Sequence, residues 1–243
     1  MIRALWTAGL GMMAQQFNVD VISNNLANVN TTGFKKERAE FKDLLYETVN
    51  KASIYEENGK PVNLQVGHGV VPVATTKMFF VGNMENTSNP TDFAIDGEGF
   101  FVIRGPGGRL AYTRDGSFKL SVSDEGPKLV TSDGYAVLDD AGNDIIIDIN
   151  LSQLSVSESG EFMYTDEEGA IQSLGQRLGL VKFSNPAGLE NIGRNLYVAT
   201  SASGEAVEDS EIAPASVIRH MFLESSNVQV VEEMVKLIVA QRA

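Results

Sequence analysis

The side chains of this chain that could do chemistry are few. It has two histidines, His68 and His220, and no cysteine. Metal binding and triad chemistry need imidazole, thiolate or carboxylate at a ligand's spacing, and neither histidine has such neighbours in sequence. His68 sits between Gly67 and Gly69, as at a turn or strand edge, and His220 precedes an apolar pair. Asp139, Asp140, Asn143, Asp144 and Asp148 crowd around Gly142 and could offer several oxygens to calcium. Their spacing misses the EF-hand pattern, and a polar hairpin turn running into a strand over Ile145–Ile149 accounts for the same residues. Gly97 and Gly99 start a dinucleotide-type spacing, but Val102 takes the third position and no helical pattern follows. Carboxylate pairs abound in so acidic a chain, and none is singled out as a glycosidase couple. The chain reads as a non-enzyme with no cofactor and no metal.

The remaining question is what the elements around those residues are built to do. With 243 residues, 43% hydrophobic and 21% charged, the chain can bury a core in one or two domains. A net charge of -13 argues against a nucleic-acid partner, which needs a concentrated basic face. The one basic run, Lys35, Lys36 and Arg38, is interrupted by Glu37 and followed by Glu40, and reads as a solvated face. No apolar run approaches the roughly 20 residues of a membrane helix. Ala4–Met13 lacks an A-x-A cleavage site, so the N-terminus reads as mature. The lack of thiols suits a chain that crosses an oxidising space unfolded.

Both ends read as helices and the middle as strands, an α+β organisation. Leu5, Met12, Val19 and Leu26 recur every seven residues, with Ala8, Ile22 and Val29 at the intervening step. At the other end Asn227 is an N-cap candidate, Ser226 and Gln229 form a capping box, and Val228, Val231, Met234, Val235 and Ile238 follow at helical spacing. Two helices so far apart in sequence cover their stripes by meeting, so the termini are expected to pair as a coiled-coil-like layer. One such seam leaves Trp6, Leu10, Met13 and Phe17 uncovered, and further copies of the chain are the simplest cover. Between the helices, Val49–Pro61 reads as a loop. Asp96-Gly97, Asp115-Gly116, Asp133-Gly134, Gly142-Asn143 and Glu168-Gly169 beside apolar residues then read as hairpin turns of a meandering antiparallel domain.

The densest unusual stretch runs from Ser23 to Lys35 and contains Asn24, Asn25, Leu26, Asn28, Asn30, Thr31, Gly33 and Phe34. Asparagine is a poor helix former whose amide needs partners, and Gly33 permits a left-handed stop. This stretch resembles the N-N-L-A-N-x-x-T-x-G-F-K signature of the flagellar rod and hook family. Its flanks, Leu5-Trp6, Asp20-Val21-Ile22 and Arg38 to Tyr46, resemble the distal-rod members, as do Phe183–Leu189, Tyr112–Phe118 and Leu223 to Ala243. The likeness covers nearly the whole chain.

What the resemblance implies is a discontinuous architecture. Residues 1–33 with 222–243 would be the helical assembly domain, 34–83 with 199–221 a connecting region, and 84–198 a β-rich outer domain. The implied role is a homo-oligomeric helical polymer between the proximal rod and the hook, exported to the periplasm through the flagellar export apparatus and surrounded by ring proteins. The assembly residues carried over are Leu5, Met12, Val19, Ile22, Asn24, Asn25, Leu26, Asn28, Gly33 and Phe34, with Asn227, Val231, Met234, Val235 and Ile238. Family members continue the last helix beyond the Gln-Arg-Ala at which this sequence stops, and they favour glycine where Met221 stands. A proximal rod or hook subunit of the same family, and a carbohydrate-binding β domain, are the alternative readings.

Overall fold

The structure, a computed structural model, describes residues 2–52, 62–123, 126–166, 170–211 and 214–242. It comprises an N-terminal helix, a C-terminal helix and a mainly antiparallel β middle. Two compact units divide it. One contains Met1–Ala27, Glu37–Lys77 and Gln229–Ala243, and the other Asn28–Lys36 and Met78–Val228.

In the first unit, α1 (Ile2–Ala27) packs on α2 (Val230–Arg242) and on two strands. Those strands, Glu37–Asp43 and Val70–Lys77, pair antiparallel from Glu37↔Lys77 to Asp43↔Val70, with a bulge between Glu40 and Phe41. A second pair joins Tyr46–Asn50 to Leu64–Gly67. Val49 and Asn50 are therefore strand, and the expected loop beyond Ala52 lies outside the described residues, as does Glu168-Gly169.

The second unit is organised by a six-stranded sheet in the order Glu190–Gly193, Leu196–Val198, Leu110–Thr113, Phe100–Arg104, Leu180–Lys182, Val207–Glu208. Along the strand starting at Phe100, Phe101 and Ile103 enter one buried cluster with Phe93, Phe118, Leu129 and Phe162. Phe100 and Val102 enter another with Tyr112, Phe183 and Tyr197. Alternate residues point to opposite faces of a strand, so a run apolar at every position is what burial on both faces requires.

The Asp-Gly turns divide into two kinds. Gly134 and Gly142, both at positive φ, close tight hairpins flanked by the bridges Val130↔Ala136 and Leu138↔Asp144, as expected. Asp96-Gly97 and Asp115-Gly116 do not: each carries the chain from one sheet to another. A Cβ on Gly97 would lie 2.4 Å from the Ser216 hydroxyl, and one on Gly116 only 1.7 Å from the Phe93 carbonyl oxygen. Gly116 answers to close backbone approach and Gly97 to the Ser216 side chain at a φ of +150°, demands that look identical to a turn in sequence.

Candidate self-assembly surface

α1 exposes Leu5, Trp6, Met12 and Met13, with Leu5 at 74% and Trp6 at 68% of full exposure. The residues it buries are Ala14, Val21, Ile22 and Asn25, on one side of the helix. Of the heptad itself, Val19 and Leu26 are half-buried, while Leu5 and Met12 face solvent. Ile22, at the expected intervening step, is buried, and the covered side of the helix runs through it and Ala14.

The departure from expectation is greater in α2. Val231, Met234, Val235 and Ile238, expected to cover α1, are exposed, with Val231 at 76%. Glu233 and Ala240 are buried and Leu237 half-buried. The apolar stripe of α2 thus points away from α1. Hydrophobic periodicity locates a face but not the surface that face will meet.

Two asparagines of the Ser23–Lys35 stretch, Asn25 and Asn28, engage their amides. The Asn25 side chain donates from Nδ2 to the Glu37 carbonyl at 2.8 Å and accepts the Glu37 N–H at 2.9 Å. Its Nδ2 also reaches Glu233 Oε2 at 3.3 Å. Asn28 accepts from the Thr31 hydroxyl at 3.2 Å and is half-buried, while Asn24 is exposed. Gly33 has φ +66° and its N–H donates to the Glu224 carbonyl at 2.8 Å. A Cβ there would lie 2.7 Å from the backbone of Arg114 and Asp115. Because α1 already ends at Ala27, Gly33 does not stop the helix as expected; its positive φ serves the Thr31–Phe34 turn and this close approach. Phe34 follows it into the interior.

Asn227 does not cap α2, which begins at Val230 with Gln229 as the residue whose carbonyl accepts the Glu233 N–H. The Asn227 amide instead accepts from the Lys36 N–H at 2.8 Å and donates to the carbonyls of Met78 at 2.8 Å and Phe80 at 3.2 Å. An asparagine in an irregular segment can bridge distant backbone as readily as it caps a helix.

Lys35, Arg114 and Glu224 form a buried ionic cluster. Lys35, expected on a solvated face, is fully buried, with Nζ 2.5 Å from Glu224 Oε1 and 2.7 Å from the Phe80 carbonyl. Arg114 meets Glu224 Oε2 at 3.3 Å, donates to the Gly97 carbonyl at 2.6 Å and stacks its guanidinium over Phe100. The Gly82 N–H adds a 2.7 Å bond to Glu224. Loss of solvation, reinforced by the neighbouring Arg114 charge and opposed by Glu224, lowers the Lys35 ammonium to a pKa of about 8. Burial lowers Arg114 too. The available signal was a charge directly after apolar residues, at Phe34-Lys35 and Phe222-Leu223-Glu224.

The other chemical candidates have structural roles. His220 stacks on Phe93, and its Nε2 lies 2.8 Å from the Pro90 carbonyl. Asp139 accepts the Asn143 N–H at 2.6 Å across the hairpin turn, and Asp144 pairs with Lys128 at 2.9 Å. His68 is exposed.

Three family models match the chain. One described as Flagella basal body rod protein covers residues 5–35, the Flagellar hook protein FlgE/F/G D1 domain covers 94–164, and the Flagellar basal body rod FlgEFG protein C-terminal covers 220–243. The flagellar basal-body rod protein FlgG of Borreliella burgdorferi is 47% identical over all of this chain and 91% of its own length. FlgG of Buchnera aphidicola subsp. Schizaphis graminum is 42% identical over all of this chain and 92% of its own. The flagellar hook protein FlgE of Helicobacter mustelae is 44% identical, but over 56% of this chain and 30% of its own length.

Proposed function

We infer the function from one premise: the chain belongs to the FlgG family of flagellar basal-body rod proteins. It is a structural subunit of the bacterial flagellar basal body, not an enzyme, and it assembles into the distal rod. Its partners are other copies of itself and other rod and hook proteins in a helical flagellar polymer. The physical observation that carries self-assembly is the outward apolar face of each terminal helix. Val231, Met234, Val235 and Ile238 on α2, with Leu5, Trp6, Met12 and Met13 on α1, remain 48–76% exposed.

Covering such a face with a different face of the next copy gives a heterologous contact, which generates a helical filament when its rotation does not close. In that polymer the terminal helices would pack as a coiled-coil-like layer. The assembly surface would comprise Leu5, Met12, Val231, Met234, Val235 and Ile238, with Val19, Ile22 and Leu26 in the helix seam beneath it. Asn24, Asn25, Asn28, Gly33, Phe34 and Asn227 would shape the turns that present it. We assign residues 1–33 with 222–243 to the assembly domain, 34–83 with 199–221 to the connection and 84–198 to an outer domain facing the ring proteins. Export to the periplasm by the flagellar apparatus completes the reading. A hook subunit is the second reading, and the full-length likeness to rod relatives favours the rod.

Electron microscopy of the concentrated protein tests this reading. Ordered tubes are expected, and a chain that stays monomeric at every concentration would overturn self-assembly.

A further inference from the structure

α2 has two faces of opposite character, and the less apolar one is turned inward. Glu233, Leu237 and Ala240 follow one another at four- and three-residue steps on the side toward α1. At about 100° per residue, Val235 lies roughly 160° around the helix from Glu233, with Val231, Met234 and Ile238 beside it. Burial of apolar area alone would select the other rotation, hiding the valines and releasing the carboxylate to water.

Asn25 accounts for the observed choice. Its amide exchanges two hydrogen bonds with the Glu37 backbone, as one strand does with another, so it cannot turn away without breaking them. The donor left over is aimed at Glu233 Oε2, 3.3 Å away, and both residues are 1% exposed. Lys236, one turn on, approaches the other Glu233 oxygen at 3.3 Å. Toward the C-terminal end of α2, Ala240 faces Ala8, Gly11 and Ala14 of α1, small residues that leave room for sliding or rolling, with Gln15 and Asn18 at their border. A buried polar contact in a helix seam lowers stability but selects one register.

We propose that Asn25 and Glu233 are a positioning pair that sets the rotation and register of α2 on α1, so that Val231, Met234, Val235 and Ile238 face a second copy of the chain. The inference rests on the self-assembly reading for its purpose and on the monomer's geometry for its mechanism. Without the pair, α2 rolls, covers its own apolar face against α1 and withdraws it from assembly.

The chain has no cysteine, so Val235→Cys and Leu237→Cys each report one face of α2 by maleimide labelling of the dilute protein. In the otherwise native chain Val235→Cys is expected to label about tenfold faster than Leu237→Cys, a preference of about 1.4 kcal/mol for the outward rotation. In a Glu233→Leu background the order reverses, whereas Glu233→Gln, which keeps an acceptor oxygen, preserves it. An unchanged order in Glu233→Leu, with helix content intact by circular dichroism, overturns the proposal. If Glu233→Leu loses the helix, Glu233→Ala, the best helix former, decides by the same criterion. Microscopy of the same variants separates the two readings: reversed labelling with loss of tubes supports both. Failure of the native chain to form tubes counts against self-assembly alone, and the labelling order still decides the rotation.

Discussion

Lys35 and Glu224, 189 positions apart, form a 2.5 Å ion pair from which water is excluded, with Arg114 on the other carboxylate oxygen. Two cations share one buried anion, so the three residues are not equivalent. Removing the carboxylate leaves two unpaired buried charges, whereas removing Lys35 leaves a balanced pair. Glu224→Gln is therefore expected to cost about 3–5 kcal/mol of stability, and Lys35→Met under about 1 kcal/mol. Urea unfolding of the two variants checks the order, and equal losses would contradict the charge argument.

The same cluster sets a pH dependence. The Lys35 pKa is lowered from 10.5 to about 8 on folding, so the unfolded chain holds this proton more tightly. The cost of burying the ammonium is fully present below pH 8 and fades as pH rises toward 10.5. Stability from this group should thus rise across that window, by an amount of order 3 kcal/mol. Lys35→Met should flatten the difference, as thermal melts of both proteins between those limits would show.

Met221 adopts φ +65°, a left-handed conformation that costs a non-glycine residue about 1–2 kcal/mol. Its N–H bonds to the Asp92 carbonyl and its carbonyl accepts from the Thr87 N–H, both at 2.9 Å, and these hold the bend. Met221→Gly is expected to stabilise the chain by about 0.5–1 kcal/mol, read as a rise in the unfolding midpoint. A fall would mean that the half-buried methionine side chain outweighs its backbone strain.

Gly33→Ala combines the φ penalty at +66° with a 2.7 Å clash against the Arg114–Asp115 backbone. A loss of more than about 2 kcal/mol is expected, well beyond that of an ordinary exposed Gly→Ala change. Gly134→Ala, also at positive φ but with open space around it, provides the comparison.

Ile22→Asp and Val235→Asp should separate folding from assembly. Ile22 is buried, and a carboxylate there is expected to cost several kcal/mol and to weaken α1 packing. Val235 is 55% exposed, so Val235→Asp should leave the monomer's melting curve within about 0.5 kcal/mol while abolishing tubes. Sedimentation and circular dichroism together distinguish the two effects.

The sequence alone determined the features that depend on local periodicity and on short-range turn chemistry. The helical periodicity of α1, the helical spacing after Val228 and the hairpins at Gly134 and Gly142 all express contacts within a few residues. The Ser23–Lys35 stretch also carried the family. Tertiary structure alone decided which side of each helix is buried, because Asn25, Glu37 and Glu233 meet only after folding. It likewise turned Asn227 from a cap into a backbone bridge, and drew Lys35 out of a charged run into the interior. Each case depends on a partner far away in the chain. Local pattern can state that an apolar face, an amide or a charge needs a partner, but only the folded chain supplies it.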